Sequence, residues 1–230
     1  MSGDDVRLRV KQVGGVVLNM IIFAALLFIP AGTVSWPRAW VFLAVVLVAA
    51  ALSIAAIPED LLDERFGAPL QPGQPLADKV VLVAFIVSFF GTMVAIPLDV
   101  FRFHWLPSPG TIVSSIGLVL FAAGWWLLAS AMVANSFAAP VVKLQTERRQ
   151  RVVDNGPYRV VRHPMYSGVI PLVIGAALWL GSYTAAIIGL LPIALIVIRI
   201  LIEERFLRRE LSGYDEYARH TRFRLIPYVW

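Results

Sequence analysis

One stretch decides how the rest of this chain is interpreted: Gly156-Pro157-Tyr158-Arg159-Val160-Val161-Arg162-His163-Pro164-Met165-Tyr166-Ser167-Gly168. It is polar, aromatic and basic in a chain that is otherwise mostly apolar, and it contains one of only three histidines. Apolar segments flank it on both sides, so we expect it at the boundary between membrane and water. Because charged groups near a membrane are costly without partners, the stretch is predicted to form part of a binding site.

The composition is that of a membrane protein. Of the 230 residues, 59% are hydrophobic and only 15% are charged, whereas soluble domains carry about 25% charged residues. The apolar residues are grouped in runs of about 20, the length that crosses a bilayer as a helix. The polar connections are too short for a separate domain, so residues 1–230 are predicted to form one integral membrane domain.

Four spans are predicted before the opening stretch, at residues 14–34, 40–57, 80–98 and 111–134. The connection between the second and third spans, residues 58–79, contains several prolines and glycines. It is predicted to form a short interfacial helical turn at 59–66 and then an irregular loop, and we assign it no chemistry.

A helical hairpin is predicted after the opening stretch. Its first arm, 169–180, covers only roughly 18 Å at 1.5 Å per residue, unless residues 166–168 lengthen it. A turn at Gly181-Ser182 leads to a return helix at 183–202. Beyond it, apolar residues at helical spacing predict an amphipathic helix that continues from the last span along the membrane surface: Phe206, Leu207, Leu211, Tyr214 and Ala218. The predicted fold is therefore an all-α polytopic membrane helical bundle of about five to six spans.

The basic residues predict the orientation. All lysines and arginines except Arg38 and Arg102 fall on the side of the N-terminus. By the positive-inside rule, both termini and the opening stretch face the cytoplasm. The net charge of +5 therefore reflects topology, and no nucleic-acid partner is predicted.

Several classes of site are excluded or disfavoured. The absence of cysteine excludes disulfides, thiolate metal sites and a cysteine nucleophile. Three scattered histidines predict no metal site. No glycine-rich dinucleotide motif or P-loop is present. A transporter or channel is disfavoured because the first four spans carry no ionisable residue between their ends.

A second polar centre lies at the end of the last span, where Arg199 and Glu203 share one face of the predicted helix and Glu204 follows. Taken alone, Arg199 and Glu203 are explained equally well by a structural ion pair. The arginines at 148–151 are explained by contact with lipid phosphates. The presence of both polar centres, in this order and spacing, favours a shared binding site.

These motifs resemble the isoprenylcysteine carboxyl methyltransferase family and the related membrane phospholipid methyltransferases. The resemblance spans nearly the whole chain and is to bacterial-type members of the family. It rests on Gly-Pro-Tyr at 156–158, Arg-His-Pro-x-Tyr-x-Gly at 162–168, Glu-Glu at 203–204, Gly-Tyr-x-x-Tyr at 213–217 and Leu-Ile-Pro at 225–227.

The resemblance implies a helical enzyme of the bacterial inner membrane that binds S-adenosylmethionine at its cytoplasmic face. Residues 1–110 would form the N-terminal spans, and residues 111–230 the catalytic core with the cofactor pocket. Cofactor binding is implied for Gln145, Val152, Val153, Tyr158, His163, Pro164, Met165, Tyr166 and Glu203. Arg199 matches the arginine that meets the carboxylate of the methyl acceptor.

The chemistry of methyl transfer leaves the acceptor open. A carboxylate is already ionised at pH 7 and needs only a cation to place it, which suits Arg199 as a bidentate clamp. A phospholipid amine or a small thiol must lose a proton, and Glu204 or His163 would then act as the base. In each case we expect a lipophilic acceptor reached from the bilayer, with membrane lipids as neighbours.

A third interpretation is a membrane reductase that uses NADPH, with the arginines at 148–151 on its phosphate. The oligomeric state is left open.

Overall fold

A computed structural model describes residues 3–56, 70–71, 73–138, 141–142 and 145–230, with side chains from residue 13 onward except at residue 146. The described residues form eight α-helices: α1 (Gly3–Ala31), α2 (Pro37–Ala56), α3 (Leu76–Leu98), α4 (Thr111–Ala134), α5 (Pro164–Leu180), α6 (Tyr183–Ile188), α7 (Leu190–Glu210) and α8 (Tyr214–His220). A π-helical turn, Asp99–Phe103, follows α3, and short 3-10 turns occur at Thr146–Arg148 and Gly156–Arg159. No strand occurs in these ranges.

Among the described residues, five helical segments are long and apolar enough to cross a membrane: Val13–Ala31, Pro37–Ala56, Leu76–Phe103, Thr111–Ala134 and Tyr183–Glu210. The apolar helix α5 is shorter, with 17 residues. Many large apolar side chains on these segments are exposed, as expected for surfaces that face lipid. The predicted all-α membrane bundle is confirmed.

The predicted limits of the second, third and fourth spans agree with α2, α3 and α4 to within four residues, and the fourth span agrees at both ends. The first span is predicted at 14–34, whereas α1 begins at Gly3 and ends at Ala31. Helix α3 begins at Leu76 and so includes Asp78 and Lys79 in its first turn. The expected helical turn at 59–66 lies outside the described residues.

The predicted hairpin turn at Gly181 and Ser182 is confirmed. Gly181 ends α5 with a positive φ of 101°, and the Ser182 hydroxyl accepts a hydrogen bond from the backbone N–H of Ala185 at the start of α6. The return arm is divided at Gly189 into α6 and α7. Pro192, three residues beyond Gly189, has no N–H to donate to the preceding turn, which accounts for the interruption.

Helices α4 and α5 pack antiparallel with their backbones in contact, and we call this contact the glycine seam. Its members are Gly117 and Gly124 on α4, and Gly168 and Gly175 on α5. A Cβ atom on Gly124 would lie 2.5 Å from the Gly168 carbonyl oxygen, and one on Gly175 would lie 2.5 Å from the Gly117 carbonyl oxygen. Small residues permit this approach in membrane helices, where packing replaces the hydrophobic effect. The seam fixes the end of the opening stretch against α4.

The main apolar core lies toward the end of the bundle that carries the α5–α6 turn. Its fully buried members include Leu27, Phe42, Met93, Ile96, Phe121 and Leu180. At this end the buried carboxylate of Asp99 accepts hydrogen bonds from the Ser182 hydroxyl at 2.6 Å and from the Trp105 backbone N–H at 2.9 Å. These bonds tie α3 to the hairpin turn.

The C-terminal tail corrects one expectation. The amphipathic helix predicted to continue from the last span is interrupted, because α7 ends at Glu210 and α8 begins only after Gly213, whose φ is +84°. Its apolar face does not lie free. Leu207, Leu211 and Ala218 pack against a buried cluster that contains Ala131, Tyr158, Tyr214 and Tyr217. The tail therefore covers the site end of the bundle.

The glycine seam yields a stability prediction. Replacing Gly124 with Ala places a methyl group against the α5 backbone, so the helices must separate. We expect a loss of about 1–3 kcal/mol of stability, by analogy with overpacked cores. The thermal denaturation midpoint of the purified protein in detergent measures this loss.

Gly91→Ala is the matched control. Gly91 lies in α3, and a Cβ atom there meets nothing within 4 Å. Since Ala is the better helix former, this variant should melt at or above the wild-type temperature. Equal midpoints for the two variants would contradict the role assigned to the seam.

Candidate functional site

A pocket opens between the 3-10 turn at 156–159, the start of α5, the end of α7 and helix α8. Its empty volume is about 980 Å³, including the open mouth. Eight of the eleven site residues expected from sequence line it together: Val152, Val153, Tyr158, His163, Met165, Tyr166, Arg199 and Glu203. The structure thus brings most of both polar centres to one cavity, while Gln145, Pro164 and Glu204 lie outside its lining.

The opening stretch folds as two tight corners. Gly156 adopts a positive φ of 53°, and Pro157 follows at the start of the 3-10 turn, where a missing N–H costs little. Pro164 begins α5 in the same way, directly after His163. Between these corners, the backbone N–H groups of Arg162 and His163 donate to the carbonyl oxygens of Phe223 and Arg224, each at 2.9 Å. The C-terminal segment therefore pairs with the stretch and holds it.

Glu204 is the centre of a buried ion cluster behind the pocket. Its side chain is 4% exposed and accepts bonds from Arg162 Nε at 2.6 Å and Arg224 Nε at 3.0 Å. His163 Nε2 lies 3.3 Å from the same carboxylate. Arg162 also donates to the carbonyl oxygens of Thr221 and Arg222. The cluster joins α7, the opening stretch and the tail.

This geometry leads us to revise the role expected for Glu204. A base must reach the proton that it removes. Glu204 does not line the pocket, and both of its oxygens are bonded to arginine. We therefore assign Glu204 to holding the site together and do not propose it as a catalytic base.

Glu203, the neighbour of Glu204, faces the pocket. Its carboxylate accepts a hydrogen bond from the Tyr166 hydroxyl at 2.8 Å, and its side chain remains 25% exposed. The His163 ring lies on the Tyr166 ring, with centroids 5.8 Å apart. His163 Nδ1 is 3.9 Å from Glu203. A partly exposed carboxylate beside aromatic faces suits an ammonium group.

Arg199 has a partner that the sequence interpretation did not anticipate. The sequence leaves open an ion pair between Arg199 and Glu203, which share one helix face. Arg199 Nε donates to Asp78 Oδ1 on α3, at 2.9 Å. The guanidinium carbon also lies 5.8 Å from the centre of the Tyr166 ring. The sequence does not single out Asp78, because this residue lies in the 58–79 connection, to which no chemistry is assigned.

Gln145 and Pro164 do not line the pocket. The Gln145 side chain is buried, donates to the Phe137 carbonyl oxygen at 2.8 Å and accepts from Arg148 at 3.0 Å. Its backbone N–H donates to the Gln150 side chain. These bonds shape the loop whose residues Phe137 and Gln150 line the cavity.

Two tyrosines of α8 complete the pocket wall. The Tyr217 hydroxyl donates to the Tyr158 carbonyl oxygen at 2.8 Å. The Tyr214 hydroxyl is buried and has no hydrogen-bond partner among the described residues. Burial raises the pKa of both phenols, so they stay protonated at neutral pH. The motif at 213–217 was recognised in the sequence, but its place in the pocket wall was not.

In the ranges that the structure describes, no group of three or more His, Asp or Glu side chains is placed to hold a metal ion.

Comparison with known proteins agrees with the motifs. Residues 112–212 match the phospholipid methyltransferase family. The chain is 28% identical over 109 residues to a probable protein-S-isoprenylcysteine O-methyltransferase of Oryza sativa subsp. indica, a match that covers 46% of this chain and 57% of the relative.

A second relative is protein-S-isoprenylcysteine O-methyltransferase B of Arabidopsis thaliana, 28% identical over 121 residues, covering 51% of this chain and 58% of the relative. The chain therefore spans less than two thirds of the length of these curated relatives. The resemblance to isoprenylcysteine carboxyl methyltransferases and the related phospholipid methyltransferases is confirmed. The match to the phospholipid methyltransferase family begins in α4, so Asp78 lies outside that match.

The two tyrosines of α8 give a paired prediction. Tyr217→Phe removes the hydrogen bond from the Tyr217 hydroxyl to the Tyr158 carbonyl oxygen. This variant should lose about 1 kcal/mol of stability, or roughly 2–4 °C in the denaturation midpoint. Tyr214→Phe removes a hydroxyl that is buried without a described partner, so its midpoint should equal or exceed that of the wild type. Thermal denaturation in detergent compares the variants, and a larger loss for Tyr214→Phe would contradict the assigned contacts.

Proposed function

We propose that this chain, whose residues 112–212 match the phospholipid methyltransferase family, is a membrane methyltransferase that uses S-adenosylmethionine and methylates a lipophilic carboxylate. The observation that carries the proposal is the convergence of Glu203, Tyr166, His163 and Arg199 on one pocket. That pocket offers a carboxylate and a guanidinium, with aromatic and apolar walls between them. The names of the curated relatives support the choice of an isoprenylcysteine-like acceptor.

The residues of the pocket fit the chemical groups of S-adenosylmethionine. Glu203 would bind its ammonium group, and the wall formed by Val152, Val153 and Met165 suits its adenine and thioether portions. The Tyr158 ring offers a face that would attract a sulfonium, whereas the Tyr166 ring already has the His163 ring and the Arg199 guanidinium beside it. S-adenosylmethionine supplies a methyl group bound to positively charged sulfur, which makes the methyl carbon electrophilic.

Arg199 is the residue proposed to bind the methyl acceptor. A guanidinium carries five N–H donors, so pairing with Asp78 is compatible with binding an acceptor carboxylate. With S-adenosylmethionine bound, Arg199 would hold an acceptor carboxylate oxygen in line with the methyl group; the new C–O bond would form as the C–S bond breaks, with its electron pair left on sulfur. The protein's task is alignment of the two reactants, which accounts for large rate gains without a base.

An amine or thiol acceptor is the runner-up. It requires a base, and the two candidates from sequence differ in their access to the pocket. Glu204 is bonded to two arginines and lies outside the pocket lining, which leaves His163, whose Nε2 is 3.3 Å from Glu204, as the candidate base. The loss of Glu204 as a base favours the carboxylate acceptor, which needs none.

An NADPH-dependent reductase is the third candidate. The structure supports it less, because Arg148 is turned toward Gln145 and the Phe137 ring. Arg151 does line the pocket and is exposed, so one cation remains near its mouth.

We further propose that the acceptor enters laterally from the bilayer while the polar cofactor enters from water. In the bacterial inner membrane, the distribution of basic residues would then place the pocket at the cytoplasmic face.

Ligand binding by the purified wild type tests the cofactor. Calorimetric titration should detect S-adenosylmethionine and its product S-adenosylhomocysteine, and both should raise the denaturation midpoint. NADPH should do neither. Stabilisation by NADPH alone would overturn the proposal in favour of a reductase.

Two substitutions test the division of roles within the pocket. Glu203→Ala should abolish binding of S-adenosylhomocysteine, because the ammonium group loses its counter-ion. Arg199→Ala should retain that binding and lose turnover, because the guanidinium that would bind the acceptor is lost, together with its pairing to Asp78, while Glu203 remains. Titration calorimetry and a methyl-transfer assay separate the two effects.

Glu210→Ala is the control for both variants, since Glu210 is an exposed glutamate at the end of the same helix. It should behave as the wild type in both assays. Equal loss of cofactor binding in Glu203→Ala and Arg199→Ala would show that the two residues do not have separate roles.

A further inference from the structure

Asp78 is a completely buried carboxylate in the first turn of α3. Oδ1 accepts from Arg199 Nε at 2.9 Å. Oδ2 accepts from Gln74 Nε2 at 2.5 Å and from the Val142 backbone N–H at 3.2 Å. A carboxylate with three donors at this depth has little freedom to reorient.

The partners of Asp78 belong to the pocket. Arg199 and Val142 both line it, although they lie on different parts of the chain. One carboxylate on α3 therefore joins a guanidinium on α7 to the backbone of the 141–142 segment. None of the motifs recognised in the sequence, and no part of the family match, includes α3.

The Arg199 guanidinium is held from two sides, by Asp78 on α3 and by the Tyr166 ring on α5. A planar guanidinium binds a carboxylate well only in a defined orientation, because its N–H donors form a rigid fork. Small errors in the placement of such a group greatly reduce catalysis. The Asp78 contact is the stronger constraint on that orientation, because it is a charged hydrogen bond.

We propose that Asp78 is a positioning residue for the methyl acceptor: it orients Arg199 and makes α3 part of the active site. This inference rests on the proposed function. It concerns only the acceptor, since Asp78 does not itself line the pocket and reaches it through Arg199 and Val142.

The chain provides a matched control for a merely structural role. Asp99 follows α3 at its other end, is 2% exposed, and accepts two hydrogen bonds from Ser182 and Trp105. Asp78→Asn and Asp99→Asn each remove one buried negative charge from the same helical segment. Only the first removes it from the neighbourhood of Arg199.

The test measures S-adenosylhomocysteine affinity by calorimetry, and kcat and KM with an S-farnesyl, N-acetyl cysteine as the acceptor probe. For Asp78→Asn we expect kcat/KM for the probe to fall at least about tenfold with the Kd for S-adenosylhomocysteine within about twofold. For Asp99→Asn we expect a lower denaturation midpoint, with KM for the probe within about twofold of the wild type.

A double variant checks that Asp78 acts through Arg199. If it does, Asp78→Asn combined with Arg199→Gln should be no slower than Arg199→Gln alone. Additive losses would overturn the inference. Should Asp78→Asn fail to fold, Asp78→Glu retains the charge but displaces it by one methylene, and an unchanged KM for the probe would then overturn the inference.

The outcomes separate this inference from the function on which it rests. A wild type that binds no S-adenosylhomocysteine, or that binds it but does not methylate the probe, overturns the proposed cofactor or acceptor and the role of Asp78 with them. A wild type that is active, with Asp78→Asn and Asp99→Asn equally impaired in kcat/KM, overturns the role of Asp78 alone.

Discussion

The site end of this protein depends on one buried carboxylate. Glu204 receives hydrogen bonds from Arg162 and Arg224, and thereby joins the last long helix to the opening stretch and to the tail. Removing one partner from such a cluster leaves an uncompensated charge in a poorly hydrated place, which is far more costly than losing an exposed ion pair. The pocket walls meet because these three segments meet at Glu204.

The glycine seam sets the second constraint. Gly168 is both the last residue of the opening stretch and a contact point of α5 on α4, so helix packing and site geometry share a residue. Where backbones touch, the relative position of two helices has little tolerance. His163 and Tyr166 lie just before Gly168. Their side chains therefore extend toward α7 from a helix whose position against α4 is fixed.

The sequence predicts local features of this molecule better than contacts between distant segments. Apolar runs locate the helices because the bilayer requires a minimum length, and the motif residues predict most of the pocket lining. The partner of Arg199 is missed because helical spacing points only to residues on the same helix, whereas Asp78 is 121 positions away in sequence. The interruption before α8 is missed because an amphipathic pattern continues across Gly213. The glycines of the seam have no visible meaning until the pairing of α4 with α5 is known.

The length of α5 has a consequence for the surrounding lipid. Its 17 residues extend about 25 Å, less than the roughly 30 Å hydrocarbon core, whereas neighbouring α3 with its π-helical turn is longer. This hydrophobic mismatch requires either a locally thinned bilayer or polar groups below the headgroup level. In both cases the pocket, which lies at the start of α5, would be close to the acyl chains. A molecule with a polar group and a lipid tail would then present its polar group to the protein while its tail stays among the acyl chains. The membrane itself would thus favour lipophilic molecules as ligands of the site.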